Sequence, residues 1–449
     1  MGRRKPRGDV MGDVPREVVR EIEHAVKAVE ERLVADRRDF HRHAESGWTE
    51  FRTASLVARR LAELGWEVRA GAEVVDTAAR MGVPPEADLE AHRQRALSQG
   101  ADPGYLEALR DGLTGVVGVL HASEGPTVAL RFDMDALDLV ESGGETHRPA
   151  REGFRSVNEG ACHACGHDGH AAIGLGLAEV LSSLRGRLRG TVKLIFQPAE
   201  EGVRGAKAMV AAGVMDDVDY LLGLHLYSGW ELGQVEPGRS GFLATTKFDA
   251  LITGLPAHAG GVPNQGKNAL LAAATAVLNL HAIPRHKDGA TRINVGRLVA
   301  GTGRNVVPGN AHLAIETRGE TTALDEYMVG EAERVLRAAA EMHGCTIEIR
   351  QMGGARSADS DRALAERVAA VARSMDGLSV RPPEKSGGSE DYTYMMARVQ
   401  ERGGQATNIG LGADLGGWGH HTAEFDIDER ALGLGVALLA RTAVELMQQ

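Results

Sequence analysis

Apolar residues near the start of the chain recur at helical spacing. Val18, Ile22, Val26, Val29 and Leu33 predict an amphipathic helix over residues 15–39. A second helix is expected over 51–64, closed by Gly65, a residue type that suits a left-handed C-cap. Residues 75–111 keep helical spacing but carry few large apolar side chains, which fits a surface insertion. Four short apolar runs then predict strands at 115–120, 128–132, 192–196 and 220–226, with helices at 171–184 and 206–212. Strands alternating with helices imply a parallel or mixed α/β sheet, whose sites lie beyond the carboxyl ends of the strands.

The pattern changes near Ala244. Strands are expected at 245–255, 292–299, 311–317 and 346–351, with helices at 269–281 and 323–343. That order, strand-helix-strand-strand-helix-strand, is the ferredoxin-like split βαβ pattern. The chain therefore divides into an α/β domain built from 13–243 and 357–449, interrupted by an inserted α+β domain at 244–356. No internal repeat or heptad array appears.

Composition narrows the function classes. A chain of 449 residues is too long for one compact core, so two domains are the prior. A net charge of −11 disfavours nucleic acid and anionic membrane surfaces as partners, and 4% aromatics gives few platforms for stacking bases. No apolar run approaches the length of a membrane span. The basic start, Met1 to Arg7, is followed by no apolar stretch, so residues 1–12 read as a disordered tail and a cytoplasmic location is expected. Three Cys cannot build a disulfide framework in a chain this long, whereas 17 His beside many carboxylates suit a metal site.

The densest cluster is Cys162-His163-Ala164-Cys165-Gly166-His167-Asp168-Gly169-His170. Thiolate and imidazole donors so close together fit zinc or another first-row divalent metal. A redox Cys-x-x-Cys needs a thioredoxin-like context, and a zinc ribbon needs a second Cys pair. A zinc deaminase would use His43-Ala44-Glu45 before Cys162 and Cys165, but no Pro precedes Cys162. Three further motifs end predicted strands: Asp133-Met134-Asp135, Gln197-Pro198-Ala199-Glu200-Glu201, and His225. Each alone has a bland explanation, as turn chemistry, a solvated face or a core histidine. Together, on strands of one sheet, they supply N, O and S ligands for two metals.

These residues resemble metallopeptidase family M20, in its amidohydrolase branch. Ala257-His258-Ala259-Gly260, Gly301 to Pro308, Gly388-Ser389-Glu390-Asp391 and His421 to Phe425 agree with it, so the resemblance runs from about Arg37 to the end. It implies a catalytic α/β domain and an inserted lid and dimerisation domain. It makes Cys165, His167, Glu201, His225 and His421 ligands of two divalent ions, Mn²⁺ or Zn²⁺, with His421 chosen over the adjacent His420 by its spacing to Phe425. It makes Glu200 the general base, taking a proton from an activated water and passing it to the leaving amine. Asp135 would orient a ligand from behind. His258 would stabilise the oxyanion, reaching across a dimer, and Asn305 and Arg318 would hold the substrate carboxylate. Within the branch, the run from Arg37 to Trp48, the 75–111 insertion and Ala244 to Asp249 resemble chains that cleave p-aminobenzoyl-glutamate, a folate-breakdown product, to p-aminobenzoate and glutamate. Alternatives are hydrolysis of other N-acyl amino acids, or a regulatory chain of a heteromeric hydrolase. The expected partner is a second copy or a paralogous chain.

Overall fold

The computed structural model of the chain describes residues 14–448; the basic stretch at 1–12, expected as a tail, lies outside the described residues. The apolar runs become strands of two sheets. In chain order the strands are β1 (Glu67–Ala70), β2 (Val116–His121), β3 (Thr127–Asp133), β4 (Thr191–Gln197), β5 (Tyr220–Tyr227), β6 (Gln234–Glu236), β7 (Ala244–Thr253), β8 (Thr291–Ala300), β9 (Asn310–Gly319), β10 (Thr346–Ala355), β11 (Ser379–Val380) and β12 (Gln405–Gly412).

The larger sheet has eight strands in the order β1-β2-β4-β3-β5-β12-β6-β11. Its centre, β4-β3-β5-β12, is parallel throughout. These strands are buried along almost their whole length, as a sheet covered on both faces requires. Parallel pairing puts all four carboxyl ends at one edge. The segments that follow β3, β4 and β12, and the end of β5, therefore meet there. The strands β1, β6 and β11 are too short to show an alternating pattern, and sequence periodicity does not predict them.

The helices Arg16–Arg42, His167–Ser183 and Arg430–Met447 pack on one another, the last two also on the sheet. The middle one lies close against the strands. A Cβ at Gly174 would sit 2.7 Å from Phe196 and 2.8 Å from Phe132, so the close approach needs glycine. This helix begins at His167, four residues before the onset expected at 171, because Gly166 at φ +89° turns the chain into it. His167 and His170 thereby share its first turn, on the face toward the strand ends. The 75–111 segment contributes the helix Glu86–Ser98, which buries only Leu89 and Ala96, yet Val75, Met81, Leu106 and Leu109 around it are buried as well.

β7 to β10 form a separate antiparallel sheet, ordered β10-β7-β9-β8, with the helices Ala269–His281 and Thr322–Met342 against it. This is the ferredoxin-like arrangement, with its own core of Phe248, Ile252, Leu313, Met328 and Leu336. The chain is thus a mixed-sheet α/β unit carrying an inserted ferredoxin-like α+β unit. Among the described residues no helix is long and apolar enough to cross a membrane.

A buried ion network joins the first helix to the rest. Arg37 is fully buried and donates to Asp168 at 2.8 Å and to Asp426 at 2.8 Å, with Glu429 at 3.4 Å. His41 shares Asp168 at 2.7 Å and meets Glu141 at 2.9 Å. Asp168 therefore ties two helices together, and only its other oxygen serves the helix start, accepting the Gly169 N–H. Replacing Arg37 by Ala would strand these carboxylates in the interior. Arg37→Ala is expected to cost roughly 3–5 kcal/mol of stability, measured by urea unfolding against wild type.

Candidate metal centre

Donor atoms converge where the parallel strands end. Cys165, His167 and His225 form one group whose ligand atoms all lie within 4.8 Å of one another; Cys165, Glu201 and His421 form a second, and His167, Glu200 and Glu201 a third. The groups share Cys165, His167 and Glu201, so they make one continuous cluster. The sequence-predicted ligands are brought together by four separate pieces of chain. Leu137 and Cys162 exchange main-chain hydrogen bonds of 3.0 and 3.1 Å, holding the cysteine segment beside the end of β3. The His421 N–H donates to Ala164 O at 2.8 Å, bringing the segment after β12 to the same place. His421 adopts φ +63°, and its Nε2 lies 3.7 Å from Glu201 Oε1. The adjacent His420 packs its ring 5.5 Å from that of His225, and its Nε2 accepts the Ser228 N–H at 3.3 Å.

The turn after β4 is built around three buried carboxylates. Asp135 accepts the N–H of Glu200 at 3.0 Å and of Glu201 at 2.9 Å, one on each oxygen. Glu50 accepts the Ala199 N–H at 2.7 Å. Asp391 accepts those of Gly205 and Ala206, both at 2.9 Å. Ala199 at φ +49° and Val203 at φ +60° are held in strained backbone by these bonds. The Gly354 N–H at the end of β10 donates to Val203 O at 2.8 Å, so the second sheet docks on the same turn.

Hydrogen-bond partners assign the imidazole tautomers. His167 Nδ1 lies 2.9 Å from Asp135 O, and His225 Nδ1 lies 2.8 Å from Leu226 O. Both carbonyls accept, so each Nδ1 carries the proton and each Nε2 turns a lone pair into the cluster. His225 Nε2 is 3.5 Å from Cys165 Sγ. His170 differs. Its Nε2 accepts the Leu226 N–H at 2.9 Å and its Nδ1 donates to Asp133 at 2.5 Å, leaving nothing for a cation.

The donor set fits a divalent metal. His167 Nε2 and Glu201 Oε1 are buried without a hydrogen-bond partner. Burial, with Glu390, Glu201 and Asp391 nearby, pushes the Glu200 carboxyl well above its usual range. Burial pushes Glu201 up to about 7, with Asp135, Asp133 and Glu390 adding to the effect. Carboxylates crowded and desolvated in this way need positive charge in their midst. A cysteine sulfur, imidazoles and carboxylates together suit a first-row divalent ion.

Other predicted residues lie apart. His258 is exposed on the segment after β7, where its Nδ1 accepts the N–H groups of Gly260 and Gly261 at 3.2 and 3.0 Å. Its Nε2 therefore carries the proton and faces outward. Asn305 is exposed, its carbonyl accepting the Ala259 N–H at 3.0 Å. Arg318 is engaged by Glu316 at 2.7 and 3.2 Å. Among the described residues none of these three hydrogen-bonds or ion-pairs with the cluster. Glu45, which a deaminase would need beside the cysteines, instead accepts the N–H groups of Arg52 and Thr53 at 3.0 and 2.9 Å, capping a helix start.

Sequence reasoning assigned no role to Glu50 or Arg131. Arg131 donates to Asp133 at 2.6 Å and to Glu390 at 3.0 Å from inside β3. A charged residue within an apolar strand run was the available signal.

Comparison with known proteins places this geometry among relatives. Residues 129–445 match the model of peptidase family M20/M25/M40. The chain is 51% identical over 421 residues to an indole-3-acetyl-aspartic acid hydrolase from Enterobacter agglomerans, covering 92% of this chain and 95% of that one. It is 50% identical over 411 residues to one of the subunits of p-aminobenzoyl-glutamate hydrolase from Escherichia coli strain K12, covering 91% and 94%. Among solved structures, an aminobenzoyl-glutamate utilization protein from Klebsiella pneumoniae superposes with TM-score 0.83 at 44% identity, covering 94% and 98%. A dinuclear metal-binding M20 peptidase from Bacillus subtilis superposes with TM-score 0.65 at 25% identity, covering 94% and 99%.

Asp135→Asn keeps the shape of the side chain but sets an NH₂ against one of the two N–H groups it now accepts. It is expected to weaken metal binding by about 10–100-fold without unfolding the chain, read by competition with a chromophoric chelator and by circular dichroism.

Proposed function

Because the chain belongs to peptidase family M20/M25/M40, we propose that this metal-dependent amidohydrolase cleaves the amide between an aromatic acyl group and an acidic amino acid, with p-aminobenzoyl-glutamate as its substrate. The carrying observation is the Glu200-Glu201 pair, fixed by Asp135 at the mouth of a thiolate, imidazole and carboxylate cluster. A second reading, indole-3-acetyl-aspartate, is favoured by a relative of equal similarity. Both substrates join an aromatic acid to a dicarboxylic amino acid.

Cys165, His167, Glu201, His225 and His421 would hold two divalent ions. Those ions would supply, when bound, a water acidic enough to attack at neutral pH and a polarised scissile carbonyl. The soft Cys165 favours Zn²⁺, and the N and O donors accommodate Mn²⁺. Glu200 accepts the proton from the attacking water and delivers it to the leaving amine. Its burial among carboxylates supports this role, since a group of high proton affinity takes a proton readily and can return it. Asp135 keeps the two glutamates in their separate orientations.

Residues 244–356 act as the lid. His258, with its proton on the outward Nε2, serves the oxyanion of a neighbouring protomer's site, that neighbour being a second copy or a related chain. Asn305 joins it there. Arg318 would engage a substrate carboxylate only by leaving Glu316.

The test is release of p-aminobenzoate by the metal-loaded protein, with indole-3-acetyl-aspartate run in parallel. Glu200→Gln is expected to lower kcat by about 10²–10⁴-fold while metal content stays at the wild-type level. Turnover equal to wild type would remove Glu200 from the chemistry. His258→Ala is expected to lower kcat by about 10²-fold with metal content intact, and mixing it with the Glu200→Gln chain should restore part of the activity if the two residues act across an interface.

A further inference from the structure

The amide substrates proposed above carry a carboxylate on the amino-acid side chain, and among the described residues neither Asn305 nor Arg318 hydrogen-bonds or ion-pairs with the cluster. Four arginines are buried among the described residues: Arg37, Arg52, Arg131 and Arg239. Three are saturated. Arg37 donates to Asp168 and Asp426, Arg52 to both oxygens of Asp39 at 2.8 and 3.0 Å, and Arg131 to Asp133, Gln197 and Glu390. Arg239 is 8% exposed, and among the described residues its guanidinium makes no hydrogen bond. Its ion-pair neighbour Glu236 sets Oε2 at 3.4 Å from Nε, and both atoms are buried without a hydrogen-bond partner, while the other Glu236 oxygen accepts the Glu384 N–H at 2.7 Å.

The position of Arg239 is set from both sides. Its N–H donates to Asn408 O on β12 at 2.8 Å. Its guanidinium lies 4.3 Å from the centre of the Tyr227 ring and 5.4 Å from that of Trp230, and those two rings stack at 4.3 Å. Tyr227 in turn lies 4.7 Å from the His225 ring and 5.6 Å from the His420 ring. Aromatic packing thus fixes a planar cation one ring away from a candidate metal ligand. Burial holds its acidity above that of an ordinary guanidinium, with a pKa down to about 10, which reflects how poorly it is solvated. The terminal guanidinium nitrogens make no hydrogen bond among the described residues, and two such donors on a planar cation are suited to grip a carboxylate in two-point fashion.

We propose that Arg239 is the receptor for the side-chain carboxylate of the substrate's acidic amino acid, and so the residue that makes the enzyme select glutamate or aspartate amides. This rests on the amidohydrolase function proposed above. It assigns Arg239 a binding role and no part in proton transfer.

The experiment compares p-aminobenzoyl-glutamate with p-aminobenzoyl-glutamine, nearly identical in shape but neutral at the side chain, using metal-loaded wild type, Arg239→Met and Arg239→Lys. Wild type is expected to favour the glutamate amide. In Arg239→Met, kcat/KM for that substrate should fall by about 10²-fold and the preference over the glutamine amide should collapse, with Arg239→Lys between the two. Metal content and Tm report whether the variant is intact. An equal fall for both substrates, or an unchanged preference, overturns the proposal. Calorimetric binding of free glutamate against glutamine gives a readout independent of turnover. If wild type cleaves neither amide, the proposed function fails. A glutamate-over-glutamine binding preference lost in Arg239→Met would still support the anion receptor, and a preference that survives would refute it.

Discussion

A turn that points its main-chain N–H groups inward has to find acceptors for them, and this one finds three buried carboxylates. Glu50 comes from the start of the second helix, Asp135 from the end of β3 and Asp391 from the segment before β12. Together they close the loop between Ala199 and Ala206. That closure sustains a left-handed Ala199 and a left-handed Val203, which would otherwise cost about 1–3 kcal/mol each. It also sets Glu200 and Glu201 side by side with different outlooks, one toward His167 and one toward His421. Distant parts of the molecule are therefore coupled through one turn: disturbing any of the three acceptors frees N–H groups on which the carboxylate pair depends.

The same arrangement explains the electrostatics. Burial and the neighbouring Asp135 push Glu50 up to about 8, and burial takes Asp391 to about 7 even with Arg131 beside it. These groups are acceptors that hold backbone in place, yet they surround the site with latent negative charge. Arg131 neutralises one side of the ring from within β3, at Asp133 and Glu390. On the opposite side, His167 Nε2 and Glu201 Oε1 are unpartnered, and these are the atoms a metal would satisfy.

Much of this was legible in the sequence because strand runs and motifs coincide. Asp133, Gln197 and His225 stand where apolar periodicity stops, and a parallel sheet must bring such endings together. The ferredoxin-like order was equally readable from period changes after Ala244. Other features depend on contacts between residues far apart in sequence. Glu50 and Asp135 meet at neighbouring N–H groups although the whole 75–111 segment lies between them. Arg239 sits in an unremarkable Pro-Gly-Arg turn, and only the stacked Tyr227 and Trp230 give it meaning. Arg318, selected by resemblance, proved to be held by Glu316 two residues away on the same strand, a local pairing that strand alternation permits because both point to one face.

The order of strands also constrains when the site can exist. β12 is the penultimate element of the chain, yet it pairs directly with β5, and the loop that follows it carries His421. Synthesis runs from the other end. While the ribosome is still delivering the inserted α+β unit, the growing chain already has Cys165, His167, Glu201 and His225, but no β12 to flank β5 and no His421 anchored on Ala164. The donor cluster is completed only by a late, long-range strand insertion, so the binding site stays incomplete from the synthesis of His225 until that of His421.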